Sequence, residues 1–184
     1  LHTRRARVKE YVPPACVLPH GKLGNSTSGF AFASNDKFGP FKNQLFVSDQ
    51  SHSNVSRVIL EKVNGVYQGA AILFRTGFGS GNIPSFYHES GALFVGGSDR
   101  GWGARGGKRF ALDRVNWTGK VPFEVHEMLA QPDGLELTFT HEIDHQTTVD
   151  VASHSMQPWN YILLFYTSYP ADHMQGLAPV GRGV

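Results

Sequence analysis

Cysteine is almost absent from this chain, because Cys16 is the one cysteine in 184 residues. A single thiol excludes an internal disulfide, a zinc site built from cysteines and a C-x-x-C-H haem attachment. We expect Cys16 to be a small, buried apolar residue. Charge is also scarce, since 17% of the residues are charged and the net charge is only +2. Nucleic acid is therefore not an expected partner.

Long apolar runs and signal-peptide patterns are missing as well. The longest apolar run covers only residues 161–166, which is too short to span a membrane. The chain starts with Leu1 instead of methionine, so we expect a targeting segment, if there is one, to lie upstream. What the chain does contain is 21 glycines and 12% aromatic residues, a composition typical of many short strands joined by tight turns.

A repeat runs through the first two thirds of the chain. The sequence QLFV at 44–47 is echoed by ALFV at 92–95, which places Leu45 and Leu93 48 residues apart. Residues 56–65 similarly match residues 110–119, and both segments end in a glycine. A period near 50 residues with several short strands in each unit is typical of β-propeller blades.

The fold class that we predict is all-β, a partial β-propeller with two four-stranded antiparallel blades plus C-terminal strands. The predicted strands of the first unit are 29–34, 44–49, 56–63 and 67–74, and those of the second are 85–88, 92–97, 110–117 and 123–129. Turns are expected at 64–65, 89–91 and 118–119. The predicted organisation is a segment from a preceding blade (1–28), two blades (29–76 and 77–134), and 135–184 as closing strands or the start of an appended β-domain.

Several separated motifs occur in an order that resembles the C-terminal half of the glucose/sorbosone dehydrogenase-like propellers, over about residues 11–145. They are PPACVLPHG at 13–21, FGPF at 38–41, QLFVSD at 44–49, GVYQGA at 65–70, GWG at 101–103, WTGK at 117–120, PFEV at 122–125 and LTFT at 137–140. The resemblance implies an exported bacterial protein, periplasmic or secreted, that oxidises a sugar or polyol with pyrroloquinoline quinone, with calcium as an accompanying ion.

The resemblance also implies that important parts lie outside this chain. The family's catalytic histidine belongs to an early blade, and its Arg-x-Arg pattern has no counterpart in residues 82–91, which contain no arginine. We therefore assign no catalytic residue here, and we expect the isolated fragment to be inactive and to need the remaining blades as partners. The alternative function is a non-catalytic propeller that binds carbohydrate or a partner protein.

Candidate binding residues follow from the propeller geometry, in which loops that enter the first strand and loops that join the second and third strands share one face. The glycine-rich segment 96–108 offers Arg100, Trp102 and Arg105 as cofactor-binding residues, through stacking and bidentate ion pairs. The substrate-binding candidates on the same face are His20, Asp49, His52 and Asp99. The alternative is structural, with Arg100 paired to Asp99 or a neighbouring blade and Trp102 filling the channel.

Overall fold

A computed structural model describes residues 12, 14–144, 148, 159–160 and 169–170, and within these residues the protein is an all-β structure. Sheet A consists of β1 (Thr27–Phe32), β2 (Leu45–Asp49), β3 (Asn54–Val63) and β4 (Val66–Arg75), paired antiparallel in chain order. Sheet B consists of β5 (Asn82–Tyr87), β6 (Leu93–Ser98) and β7 (Phe110–Val115), paired in the same way. A hairpin follows, formed by β8 (Val125–Gln131) and β9 (Gly134–Phe139). Two short strands, β10 (Trp159–Asn160) and β11 (Tyr169–Pro170), pair with each other.

The first predicted blade is confirmed as sheet A. Its β3–β4 connection is the predicted two-residue turn, in which Asn64 and Gly65 have φ values of 49° and 86°. A two-residue hairpin turn of type I′ requires positive φ at both positions. A 3₁₀ segment, Asp36–Phe41, lies between β1 and β2, where the sequence interpretation placed no helix.

The second predicted blade differs from expectation because its fourth strand does not pair with β7. Residues 116–124 form a loop after β7, and β8 instead pairs with β9. The hairpin turns at Pro132 and Asp133, so the boundary that we predicted between 134 and 135 falls inside it. The strand predicted at 161–166 lies outside the described residues.

Sheets A and B pack face to face around an aromatic core. Phe38, brought in by the 3₁₀ segment, lies within 6.0 Å, centroid to centroid, of the rings of Phe46, Phe74 and Tyr87. The first strands of the two sheets, β1 and β5, approach so closely that a Cβ at Gly29 would lie 2.0 Å from the carbonyl oxygen of Ile83. The glycine is therefore required for the contact between the two sheets.

Arg57 attaches the β8–β9 hairpin to sheet A. Its guanidinium is completely buried and donates to the Gln44 side chain at 2.6 Å, to the carbonyl oxygens of Val125 and His126, and to Glu124 at 3.2 Å. It also lies over the Phe41 ring, 4.8 Å from the centroid. Burial lowers the pKa of Arg57, while the charge of Glu124 opposes this shift. A buried cation is tolerated here because both terminal nitrogens of the guanidinium donate hydrogen bonds, whereas Nε has no partner among the described residues.

The strand registers correct the sequence alignment of the two repeats. Phe46 pairs with Arg57 in sheet A, and Phe94 pairs with Arg114 in sheet B. Arg114 is therefore the counterpart of Arg57, so the echo that aligned 56–65 with 110–119 is out of register by three residues. The first strands of both sheets also carry a register shift at the same place, between Thr27 and Phe30 and between Asn82 and Ser85.

Candidate functional site

The loops at one end of both sheets form a single surface, which we call the loop face. It comprises the segments before β1 and β5 and the β2–β3 and β6–β7 loops, and these are residues 19–26, 76–81, 50–53 and 99–109. Strand direction requires this arrangement, because β1, β3, β5 and β7 all begin at the end where β2 and β6 finish. The glycine-rich segment lies at the same end of the sheets as the loops that hold residues 20 and 50–53, and it contacts Gln50 and Ser53 directly.

Asp49 organises the loop face and is not open to a ligand. Its side chain is buried, with a relative exposure of 1%. One carboxylate oxygen accepts from the backbone N–H groups of Asn25 and Ser26 at 2.6 and 2.7 Å, and the other accepts from the N–H of His52 at 2.7 Å. Three charge-assisted hydrogen bonds fix two loops relative to each other. In this structure the predicted substrate residue Asp49 has an architectural role.

His52 lies beside Asp49 but does not form an acid–base pair with it. The Nδ1 atom of His52 is 3.9 Å from the nearer Asp49 oxygen, which is beyond hydrogen-bonding distance. The His52 side chain is only 10% exposed, and its Nδ1 has no hydrogen-bond partner among the described residues. The pair therefore lacks the geometry that general base catalysis requires.

Three residues of the β2–β3 loop hold the glycine-rich loop through hydrogen bonds. Gln50 donates from its buried side chain to the carbonyl oxygens of Asp99 and Gly103, at 3.3 and 3.5 Å. The Ser51 carbonyl accepts from the N–H of Arg105 at 3.1 Å. The Ser53 hydroxyl accepts from the N–H of Gly106 at 2.8 Å. Because these contacts join the two sheets, they fix the conformation of the glycine-rich loop on the protein surface.

Ser53 is an anchor that sequence reasoning missed. It is buried, and its φ of 50° lies in the left-handed region that non-glycine residues seldom adopt. A serine between two polar residues in a short loop carries no sequence signal for such a role. Its partner Gly106 is equally constrained, because a Cβ there would lie 2.3 Å from the Phe78 carbonyl oxygen.

Trp102 stands at the exposed tip of this anchored loop. Trp102 is 78% exposed, and its backbone N–H donates to the Asp99 carbonyl at 2.9 Å within a turn. The Asp99 carboxylate caps the same turn by accepting from the N–H of Gly101 at 2.9 Å. Asp99 thus shapes the loop, and Trp102 does not fill a buried channel within the described residues.

Arg100 and Arg105 are both exposed on the same loop. The described residues include no ion pair between Arg100 and Asp99 or any other carboxylate, so the structural alternative for Arg100 finds no support there. Arg100 has a left-handed φ of 52°, next to Gly101 at 77°. Two guanidinium groups and one indole are therefore presented to solvent from one loop.

The other candidates have less to offer. His20 is exposed in a turn in which the Pro19 carbonyl accepts from three successive N–H groups. Cys16 is partly buried as expected, and burial raises its pKa to about 11, so the thiol is protonated at neutral pH. Across the described ranges, no group of three or more His, Cys, Asp or Glu side chains is placed to hold a metal ion. His145, which follows His141 and Asp144 in the sequence, lies outside those ranges.

The described residues contain no helix that is long and apolar enough to cross a membrane. Comparisons of the chain with protein-family models, with curated proteins and with solved structures found no match.

Proposed function

We propose that this chain is part of a propeller whose loop face binds a carbohydrate, with Trp102 as the ring on which the sugar stacks. The observation that carries the proposal is the 78% exposure of Trp102 on a loop that is pinned to the neighbouring sheet. An exposed indole on a flexible loop would lose conformational entropy on binding. A loop that is already fixed avoids most of that cost.

The charges around Trp102 favour an acidic sugar. Residues 99–109 contain four basic side chains and one acidic side chain, Asp99. The basic residues are Arg100, Arg105, Lys108 and Arg109, and all of them are exposed. Guanidinium groups pair bidentately with carboxylates, so a uronic acid offers both a ring face for the indole and an anion for the arginines.

Binding is favoured over catalysis by the state of the acidic and imidazole groups. Asp49 uses both carboxylate oxygens in backbone hydrogen bonds. His52 does not reach Asp49 at hydrogen-bonding distance. A general base needs a free lone pair within reach of the substrate proton. The Asp49 carboxylate is occupied by the backbone, and the His52 Nδ1 atom, which has no hydrogen-bond partner among the described residues, is buried.

Titration calorimetry with trigalacturonate and with the neutral maltotriose tests the proposal. We expect tighter binding of the acidic sugar, with an advantage that falls as salt is added because exposed charges are screened. Trp102→Ala should lose about 1 kcal/mol, roughly fivefold in affinity, for both sugars. Arg100→Ala and Arg105→Ala should each lose about 1.5–3 kcal/mol for the acidic sugar alone.

Tyr67→Ala is the matched control, because Tyr67 is a 56% exposed aromatic residue next to the β3–β4 turn, at the opposite end of sheet A. It should leave both affinities unchanged. Equal affinities for wild type and Trp102→Ala would contradict the proposal. Loss of thermal stability without loss of affinity in the arginine variants would instead assign the loop a bracing role.

Quinone-dependent oxidation of a sugar or polyol is the second candidate, favoured by the same indole and guanidinium groups. Trp102 can stack on a planar quinone, and Arg100 and Arg105 can pair with its carboxylates. When bound, the quinone would accept the electrons of the oxidation. Calcium, which the resemblance associates with this cofactor, has no cluster of acidic or histidine ligands among the described residues. We expect no dye-linked glucose or sorbosone oxidation by this chain with added quinone, because the catalytic base is expected from other blades.

A further inference from the structure

The side of sheet B that faces away from sheet A is an exposed apolar surface, which we call the front face of sheet B. Phe86, Phe110 and Leu112 are 60%, 67% and 75% exposed. Phe86 and Arg114 both pair with Phe94, and Leu112 pairs with Gly96, which is two residues further along β6. The side chains of Phe86, Phe94, Leu112 and Arg114 therefore lie on one face of the sheet. An exposed patch of this kind usually marks an interaction site.

The equivalent face of sheet A is already an interface. Phe46 and Ala31 in sheet A occupy the positions that Phe94 and Phe86 occupy in sheet B, because the registers match pair by pair. Phe46 and Ala31 are buried in the core that joins sheet A to sheet B. The front face of sheet B therefore carries the same half of a sheet-to-sheet contact, but without a covering sheet among the described residues.

The complementary half is exposed on the opposite side of the molecule. Phe30, Phe32 and Leu73 lie on the back face of sheet A and are 71%, 51% and 45% exposed. The register counterparts of Phe30 and Phe32 in sheet B are Ser85 and Tyr87. Tyr87 belongs to the core between the sheets, and the Ser85 hydroxyl contacts that of Ser48. The back face of sheet A is thus the half that would cover a front face.

We propose that a second copy of this chain packs the back face of its sheet A onto the front face of sheet B. The occupant follows from continuity with the interface between sheets A and B, since one molecule exposes both halves of that contact on opposite sides. Such a head-to-tail contact is heterologous, and it produces rings if the rotation closes and filaments if it does not.

The first strands of the two sheets, β1 and β5, determine how tight this association is. Between sheets A and B, Gly29 lets the Ile83 backbone come close, but its register counterpart in sheet B is Pro84, which is exposed. A ring in place of a hydrogen atom keeps the two backbones further apart. Aromatic side chains then fill the space, so we expect weaker association than the packing within one molecule.

Arg114 supplies a second test of the equivalence. Its counterpart Arg57 extends from sheet A into the neighbouring layer and donates to the carbonyl oxygens of Val125 and His126. Arg114 is exposed, donates from its Nε to the Asn116 side chain at 2.9 Å and lies 5.6 Å from the centre of the Phe94 ring. In the associated state we expect its guanidinium to reach carbonyl oxygens of the second copy.

Sedimentation equilibrium of the full chain, from micromolar to near-millimolar concentration, tests the proposal with two variants. Phe86→Glu/Leu112→Glu changes the front face, and Phe30→Glu/Phe32→Glu changes the back face. We expect wild type to associate with increasing concentration. Each variant should associate at least about tenfold more weakly, because a charge buried in an apolar contact is costly. Arg114→Ala should show an intermediate loss.

Mixing the two variants is the decisive step, because each retains the half that the other lacks. We expect the mixture to form heterodimers and nothing larger. Trp102→Ala, on the loop face, is the control and should associate like wild type whether or not the protein binds sugars. Circular dichroism establishes that each variant is folded. A monomeric wild type would overturn the proposal, as would a back-face variant that dimerises as tightly as wild type or a mixture that stays monomeric.

Discussion

Asp49 shows, at the scale of a single residue, how burial decides what a carboxylate does. The sequence placed it in a loop beside His52, a pattern compatible with substrate binding. The structure buries it completely and gives it three backbone N–H groups to accept. A carboxylate saturated in this way stabilises the chain around it and has little capacity left for a ligand.

We predict that Asp49→Ala lowers the free energy of unfolding by at least about 2 kcal/mol, because it leaves three N–H donors without their acceptor. Asp99→Ala is the control, since among the described residues the Asp99 carboxylate accepts only from the N–H of Gly101. It should cost about 1 kcal/mol or less. Urea denaturation of both variants measures the difference. Equal losses for the two would show that Asp49 does not hold the loop face together.

The two repeats differ most, at the scale of elements, in their connections. The β2–β3 connection, residues 50–53, is four residues long, whereas the β6–β7 connection covers residues 99–109. The longer loop brings Trp102, Arg100 and Arg105 to the surface, and Gly106 lets its backbone lie against residues 78–80. The residues of the proposed binding site therefore lie where the connections of the two repeats differ most in length, as is common for binding loops on a rigid scaffold.

Gly106 and its neighbour Gly107 form a matched pair for testing this loop. A Cβ at Gly106 would lie 2.3 Å from the Phe78 carbonyl oxygen, whereas a Cβ at Gly107 would meet nothing within 4 Å. We predict that Gly106→Ala displaces the loop and costs about 1–3 kcal/mol of stability. Gly107→Ala should change the stability by less than about 0.5 kcal/mol.

Thermal melts give the stabilities of the Gly106 and Gly107 variants, and Trp102 fluorescence reports on the loop. If the Gly106 variant kept wild-type stability and fluorescence, the close approach of the loop to residues 78–80 would not be needed. We also expect Gly106→Ala to weaken any sugar binding that depends on Trp102, since a displaced loop is no longer preorganised.

Two stacked sheets, at the scale of the whole molecule, share one aromatic core, and β1 and β5 lie against each other across it. Gly29 on β1 is the position where that contact is closest, with the Ile83 backbone against it. Exposed aromatic residues lie on both outer faces, as the proposed association of copies requires. Stability and association therefore depend on the same kind of surface.

We predict that Gly29→Ala separates β1 from β5 and lowers the free energy of unfolding by about 1–3 kcal/mol, because the added Cβ overlaps backbone atoms that cannot rotate away. Nuclear magnetic resonance should show the largest amide shifts along β1 and β5, with β9 little affected. Gly107→Ala again serves as the control. Shifts confined to residues next to Gly29 would argue that β1 and β5 are less tightly coupled than the structure implies.

The sequence by itself determined the all-β class, most strand positions and the location of the loop face. Alternating apolar residues, turn glycines and strand order are local or topological properties, and a reader of the chain can recover them. Asn64-Gly65 is the clearest case, because both residues accept the positive φ that the β3–β4 hairpin requires.

Only the tertiary structure decided which loop-face residues are buried in structural hydrogen bonds and which remain exposed. Asp49 is the last residue of β2 and is buried by hydrogen bonds from the distant residues Asn25 and Ser26, whereas Trp102 stays in solvent at the tip of a loop. It also decided that β8 lies against sheet A and not beside β7, since the buried Arg57 donates to the carbonyl oxygens of Val125 and His126 at the start of β8. Contacts between residues far apart in the chain leave no periodic pattern in it, so the sequence alone does not reveal them.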